Sequence, residues 1–79
     1  MDAVKADAVL DCRGDLCPGP VIKIARAIQT IQVGQILEMQ ATDPGSPADM
    51  QAWTRQTGQE LVASHEAGGV FTFYVRRNK

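Results

Sequence analysis

Residues 8–20 read AVLDCRGDLCPGP and place Cys17 between a strand pattern and a helix pattern. Ala8–Cys12 is apolar enough for a short strand, and Gly14 favours a turn because glycine tolerates positive φ. Pro18 and Pro20 are typical of a first helical turn, where the backbone amides have no intrahelical partner to lose. The stretch therefore predicts a strand, a turn and a helix that begins beside Cys17.

The rest of the chain predicts one more helix and three more strands. Val21, Ile24, Ile28 and Ile31 recur at helical spacing, which extends the first helix to about residue 31. Ser46, followed by Pro47 and Asp49, resembles an N-cap of the second helix. The remaining pattern favours strands at residues 35–41, 59–67 and 70–77 and a helix at residues 47–57, with a hairpin turn at Gly68-Gly69.

The predicted order βαβαββ indicates an α/β two-layer sandwich. Its first two strands should be parallel, joined by a right-handed crossover through the first helix. The expected architecture is a four-stranded mixed sheet with both helices on one face. Trp53 should pack between the second helix and the sheet. The opposite face, which carries Thr72 and Tyr74, should be uncovered.

Size and charge restrict the classes of function. The chain has 79 residues, which predicts a single domain over residues 1–79 with residues 1–7 as a loose leader. A chain this short disfavours an enzyme with an enclosed pocket. The formal net charge of −1 shows no basic excess, so direct nucleic-acid binding is not expected.

The N-terminal residues contain no long apolar run, which predicts neither a signal peptide nor a membrane span. Two cysteines are too few for a disulfide framework. The expected location is therefore the cytoplasm, where thiols stay reduced.

Cys17 is the candidate reactive residue. A thiolate is the nucleophilic form of cysteine, and the N-terminus of a helix stabilises that anion. Pro18 and Pro20 should stiffen the turn, and Gly19 leaves room for a partner's sulfur. Arg13 and Lys23 could add positive charge. The alternative is that Cys17 packs as a small apolar side chain.

The other candidates for chemistry are Cys12, His65 and any cluster of metal ligands. The burial preference of cysteine makes Cys12 a core thiol, and the alternative is a second thiol that forms a disulfide with Cys17. His65 is interpreted as a surface or sheet histidine and not as a general base. No cluster of His, Cys and carboxylates has metal-ligand spacing, so neither a metal nor a cofactor is expected.

Residues 10–20 resemble the signature of the TusA/SirA (YedF-like) family, an Asp-x-Arg-Gly-type turn followed by Cys-Pro-x-Pro at the first helix. The similarity extends from about Val9 to Arg77. The resemblance implies the same βαβαββ sandwich and a role as a sulfur carrier. It also makes Asp43 a candidate neighbour of Cys17, although Asp43 could equally cap the turn before Pro44.

In that family the motif cysteine, here Cys17, accepts sulfane sulfur as a persulfide. The implied donor is a cysteine desulfurase or a rhodanese, and the implied acceptor is a DsrE-like or similar protein. The implied destinations are tRNA thiolation, molybdenum cofactor synthesis and sulfur oxidation.

Two other functions remain open from the sequence. Many sulfur-relay members have no cysteine at the position of Cys12, which keeps open a thiol–disulfide redox protein using Cys12 and Cys17. The other alternative is a binding or regulatory module, for example for RNA on the uncovered sheet face, which the acidic pI disfavours.

Overall fold

A computed structural model describes residues 5–16 and 19–79 of the chain. The chain order of its elements confirms the predicted βαβαββ arrangement. A 3-10 turn at Ile28–Thr30 follows the first helix. The strands and helices are β1 (Ala8–Cys12), α1 (Gly19–Ala27), β2 (Ile36–Ala41), α2 (Ser46–Thr57), β3 (Glu60–Ala67) and β4 (Val70–Arg76).

The four strands form one mixed sheet in the order β1-β2-β4-β3. β1 and β2 are parallel, in a register that runs from Ala8 opposite Leu37 to Cys12 opposite Ala41. β4 is antiparallel to both β2 and β3. The parallel pair requires a crossover, which α1 supplies. The carboxyl ends of β1 and β2 therefore lie side by side at one end of the sheet.

The core lies between one face of the sheet and the two helices. Alternate residues of β2 and β4 point to this face, as the period of a strand requires. Trp53 of α2 is 8% exposed, which confirms its predicted place in the core. The buried apolar cluster comprises Cys12, Ile24, Ile28, Ile31, Leu37, Met39, Ala41, Met50, Trp53, Phe73 and Val75.

The first helix is shorter than the apolar spacing predicts. α1 ends at Ala27, and the chain tightens into the 3-10 turn at Ile28–Thr30 before Ile31 becomes extended. The Thr30 hydroxyl donates to the Ala27 carbonyl at 2.6 Å, a local bond that competes with continued α-helix. Ile28 and Ile31 are still buried. The spacing of Ile28 and Ile31 therefore indicates which side chains face the core and does not indicate where the helix ends.

The start of α2 also differs from the prediction. The N-cap is Gly45, and Ser46 is the first helical residue. Ser46 is 2% exposed, and its amide donates to the Asp43 carbonyl at 2.9 Å. A backbone turn from Asp43 therefore leads into the helix, and no side-chain cap forms at Gly45.

Hydrogen bonds tie the start of the described chain to β2 and the chain after β4 to the turn that follows α1. The Asp7 amide donates to the Ile36 carbonyl, and the Ile36 amide donates to the Asp7 carboxylate, each at 2.8 Å. The fold therefore includes Asp7, one residue of the segment expected to be a loose leader. After β4, the Arg77 guanidinium donates to the Ile31 carbonyl at 2.5 Å and to the Gln29 side chain at 3.2 Å. Arg77 thus fixes the turn that follows α1.

Candidate functional site

The loops after β1 and β2 meet at the end of the sheet from which both helices start. The Gly14 amide donates to the Thr42 hydroxyl at 2.9 Å, which joins the two loops directly. α1 begins at Gly19 and α2 at Ser46, so both helix N-termini lie at this end. Cys17 and Pro18 lie outside the described residues. The geometry that follows is that of the chain on either side of them.

The turn after β1 depends on Gly14. Its φ is 84°, in the left-handed region that L side chains rarely adopt. The Asp15 amide donates to the Cys12 carbonyl at 3.1 Å, which closes the turn. The predicted turn at Gly14 is confirmed, and it directs the chain from β1 toward α1.

Leu16 and Gly19 are in contact across the two residues that are not described. The Gly19 amide donates to the Leu16 carbonyl at 2.8 Å. Gly19 is the first residue of α1, and Pro20, the second, is buried. Proline at this position costs no intrahelical bond, in agreement with the predicted helix start. Two large apolar side chains here face solvent, with Leu16 at 76% and Ile22 at 50% exposure.

Arg13 is paired with Asp11. Its Nε and Nη2 donate to the two oxygens of the Asp11 carboxylate at 2.9 and 3.1 Å. The Arg13 amide donates to the same carboxylate at 3.0 Å. These hydrogen bonds hold the pKa of Asp11 at about 2. The positive charge predicted to support the cysteine is therefore balanced by a carboxylate two residues away.

Lys23 is paired with Asp15. The Lys23 Nζ lies 2.5 Å from Asp15 Oδ2, and the hydrogen bond raises the pKa of the Lys23 ammonium. Asp15 precedes Cys17 and Lys23 lies one turn into α1. The structure thus places the second predicted cation near this segment of the chain, but with its charge offset by a carboxylate.

Cys12 is enclosed in the core. Its exposure is 0%, and burial is the largest cause of the raised pKa of its thiol. The predicted core position is therefore confirmed. A disulfide with Cys17 would require Cys12 to leave the core, because thiol–disulfide exchange needs an accessible thiolate. This burial weighs against the thiol–disulfide alternative.

Asp43 and His65 occupy different parts of the sheet. Asp43 follows Thr42 in the loop that contacts Gly14, and its carbonyl closes the turn into α2. His65 lies on edge strand β3, three strand positions from β1, which is about 14 Å. Its ring is 6.4 Å from that of Tyr74 on the uncovered face. The fold therefore brings Asp43, and not His65, to the end of β1.

The carboxylate partners of Arg13 and Lys23 were not predicted from the sequence. Asp11 and Arg13 are two residues apart at the start of a glycine turn, and the habit of Asp side chains to accept from the backbone amide two residues on was a signal that could have paired them. The pairing of Asp15 with Lys23 had no such signal, because it depends on how the loop packs against α1. The hydroxyl of Thr42 was missed for the same reason.

Among residues 5–16 and 19–79, no three His, Cys, Asp or Glu side chains are grouped closely enough to hold a metal ion. No helix there is both long and apolar enough to cross a lipid bilayer.

Comparison with known proteins gives consistent similarities. The family model described as "Sulfurtransferase TusA" matches residues 8–77. Sulfur carrier protein TusA of Allochromatium vinosum is 40% identical over 72 residues, which cover 91% of this chain and 95% of that protein. Putative sulfur carrier protein YrkI of Bacillus subtilis is 35% identical, over 94% of this chain and 99% of that protein.

Putative sulfur carrier protein YrkF of Bacillus subtilis is 36% identical over 94% of this chain, but the matched part spans only 40% of YrkF. Among solved structures, a SirA-like protein from Desulfitobacterium hafniense superposes with a TM-score of 0.78 over 91% of this chain and 99% of that chain. Its sequence identity is 19%, so this similarity supports the fold alone.

Proposed function

The chain belongs to the sulfurtransferase TusA family, and we propose that it is a sulfur carrier whose Cys17 holds a persulfide. The observation that carries the proposal is the family match over residues 8–77, a span that contains Cys17-Pro18-Gly19-Pro20. The relatives named as sulfur carriers support it, because two of them match over almost their whole length.

The proposed reaction consists of two thiol exchanges. The Cys17 thiolate attacks the outer sulfur of a donor protein's persulfide, and the donor's S–S bond breaks. The donor leaves as a thiolate, and Cys17 becomes the persulfide. The thiolate of an acceptor then attacks the outer sulfur on Cys17, which releases the Cys17 thiolate. Electrons balance at each exchange, so neither step needs an oxidant or a reductant.

A protein partner suits this end of the sheet better than a free small substrate. Leu16 and Ile22 present exposed apolar side chains on either side of Cys17 in the sequence. His65 lies on β3, the edge strand farthest from β1 in the sheet. The partner would therefore supply the groups that stabilise the transferring sulfur.

We propose a cysteine desulfurase or a rhodanese as the donor and a DsrE-like or similar protein as the acceptor. These partners follow from the family resemblance. The proposed destinations remain tRNA thiolation, molybdenum cofactor synthesis and sulfur oxidation. We also propose a cytoplasmic location.

Mass spectrometry tests the central step. The protein is incubated with a cysteine desulfurase and cysteine, and its intact mass is measured without reductant. We expect a gain equal to one sulfur atom, which a Cys17→Ser variant lacks and a Cys12→Ala variant retains. A sulfur gain in Cys17→Ser, or none in the wild type with several desulfurases and rhodaneses, would contradict the proposal.

A further inference from the structure

We propose that Asp15 and Lys23 form a positioning pair, which holds the loop before Cys17 against the first turns of α1. Lys23 then supports the Cys17 thiol by holding the preceding loop in place and not by acting as a free positive charge. This inference rests on the proposed function for its consequence in sulfur transfer. Its structural part concerns the loop alone and can be tested separately.

The pair joins the chain on either side of Cys17. Asp15 lies in the loop after Gly14, and Lys23 lies four residues after Gly19, on the same face of α1. The Asp15 carboxylate and the Lys23 ammonium are 2.5 Å apart. The backbone bond from Gly19 to Leu16 forms a second link across the same segment. One side-chain contact and one backbone contact therefore fix the loop relative to the helix.

Backbone hydrogen bonds from Asp15 to Cys12 and from Gly19 to Leu16 also restrain this loop, but its side chains add little packing. Asp15 and Leu16 belong to neither a helix nor a strand. Leu16 is 76% exposed, so its side chain contributes little packing. The Asp15 side chain is more enclosed, at 31% exposure, which favours a defined geometry for its ion pair. Loss of the pair should thus loosen the segment that leads to Cys17.

Geometry is a demanding requirement for sulfur exchange. The attacking sulfur must approach along the S–S axis of the donor, and a misplacement of about 1 Å can cost a large factor in rate. A positioning pair addresses this requirement. A free ammonium would act differently, because its positive charge would lower the thiol pKa. Asp15 offsets this electrostatic effect, since its negative charge lies directly against Lys23.

The two roles of Lys23 predict opposite results for Asp15→Asn. If Lys23 acts by charge, the substitution releases that charge, lowers the pKa of the Cys17 thiol and speeds its reactions. If the pair positions the loop, Asp15→Asn and Lys23→Met both slow sulfur transfer, although Asp15→Asn leaves the ammonium unpaired and so favours the thiolate.

The test measures two rates in each variant. Alkylation of Cys17 by iodoacetamide as a function of pH gives its thiol pKa, and persulfide transfer from a cysteine desulfurase gives the rate of exchange. We expect Asp15→Asn and Lys23→Met both to slow transfer by about tenfold, although the two substitutions change the local charge in opposite directions. The double variant Asp15→Lys with Lys23→Asp, which reverses the pair, should recover most of the rate.

Arg26→Met is the matched control, because it removes one positive charge from the last turn of α1. It should leave both rates unchanged. Faster transfer in Asp15→Asn would overturn the positioning role, as would a reversed pair no better than the single variants.

Amide hydrogen exchange at Gly19 separates this inference from the proposed function. Its amide donates to Leu16, so exchange should accelerate in both single variants and slow again in the reversed pair. This readout needs no sulfur donor. If the wild type accepts no persulfide, the proposed function fails while the exchange data still decide whether the pair holds the loop. Unchanged exchange in the single variants would contradict the positioning role.

Discussion

The two cysteines of the chain lie five residues apart and have different proposed roles. Cys12 is fully enclosed, and burial raises the pKa of its thiol. A buried, protonated thiol reacts slowly with alkylating reagents, because the thiolate is the nucleophile. The proposed reactive thiol belongs to Cys17, two residues before the first residue of α1 in the sequence. The contrast between them can be measured directly.

We predict that the folded protein reacts with about one equivalent of a thiol reagent near pH 7, and with two in urea. The slow thiol is Cys12, whose reaction requires opening of the core. A spectrophotometric titration with a chromogenic disulfide measures both stoichiometries. The Cys17→Ser variant should be almost unreactive until it unfolds. Rapid reaction of that folded variant would show that Cys12 is accessible.

Asp11 gives a prediction for acid pH. Its pKa is lowered from 3.8 to about 2, chiefly by the side-chain hydrogen bond from Arg13. A lowered pKa in the folded state contributes stability above the unfolded value, and this contribution is lost as the pH falls toward 2. In an NMR titration the Asp11 carboxyl should have its midpoint near 2, and Arg13→Met should raise it. An Asp11 midpoint near 3.8 in the wild type would rule out the ion pair in solution.

At the scale of elements, the end of α1 is held by a residue distant in sequence. Arg77 donates to the Ile31 carbonyl and to the Gln29 side chain, while its backbone amide donates to Gln35. Helix termini leave carbonyls without intrahelical partners, and a charged donor satisfies them well. The position of α1, and of the site at its other end, therefore depends partly on the chain after β4.

Replacing Arg77 with Met should lower the free energy of unfolding by about 1–2 kcal/mol, because a charged donor to a half-buried carbonyl is lost. Urea denaturation followed by circular dichroism measures the change. Arg76→Met is the matched control, since Arg76 pairs with Glu60 at 3.1 Å on the exposed surface. Its effect should stay below about 1 kcal/mol. Equal effects of the two substitutions would contradict the special role of Arg77.

The strands were easier to predict than the ends of the helices. Ala8–Cys12 was predicted with the bounds that the structure gives, because alternation and a glycine turn define it. The end of α1 was placed too late, since Ile28 and Ile31 face the core whether the backbone is α-helical or 3-10. The pattern of Ser46, Pro47 and Asp49 predicted an N-cap at Ser46, but the Ser46 backbone is already helical and the N-cap is Gly45.

The site was predictable only in part. Glycine, proline and cysteine in residues 14–20 indicate a turn and a helix start from local chemistry. The ion pair of Asp15 with Lys23 and the bond from Gly14 to Thr42 arise from packing between segments, which spacing along the chain does not report. The positive charges of Arg13 and Lys23, which the sequence suggested were available to support Cys17, are therefore paired with carboxylates in the structure.

At the scale of the whole molecule, one end of the sheet carries the exposed apolar side chains nearest Cys17 in sequence. Ile22 is 50% exposed and Leu16 is 76% exposed, while the charges of Arg13 and Lys23 are each balanced by a carboxylate. A partner that binds here would meet apolar surface and internally paired ions. Such contacts depend weakly on salt, because little net charge is available to be screened.

We predict that Ile22→Ser lowers the kcat/KM of sulfur transfer from the donor by about three- to tenfold, since burial of an isoleucine side chain at an interface is lost. The alkylation rate of Cys17 by a small reagent should not change. Val33→Ser is the matched control, because Val33 is 62% exposed and lies after the other end of α1. Equal losses in both variants would show that the effect is not local to the site.

The position of β4 has a consequence for biosynthesis. β4 is the last strand in chain order, yet it lies inside the sheet between β2 and β3. As the chain leaves the ribosome, β2 and β3 have no partner on their inner edges until β4 emerges. The sheet therefore closes in one late event, and the loops that surround the proposed sulfur site gain their final support only then. A nascent chain that has made the Cys17 segment but not β4 should be unable to exchange sulfur.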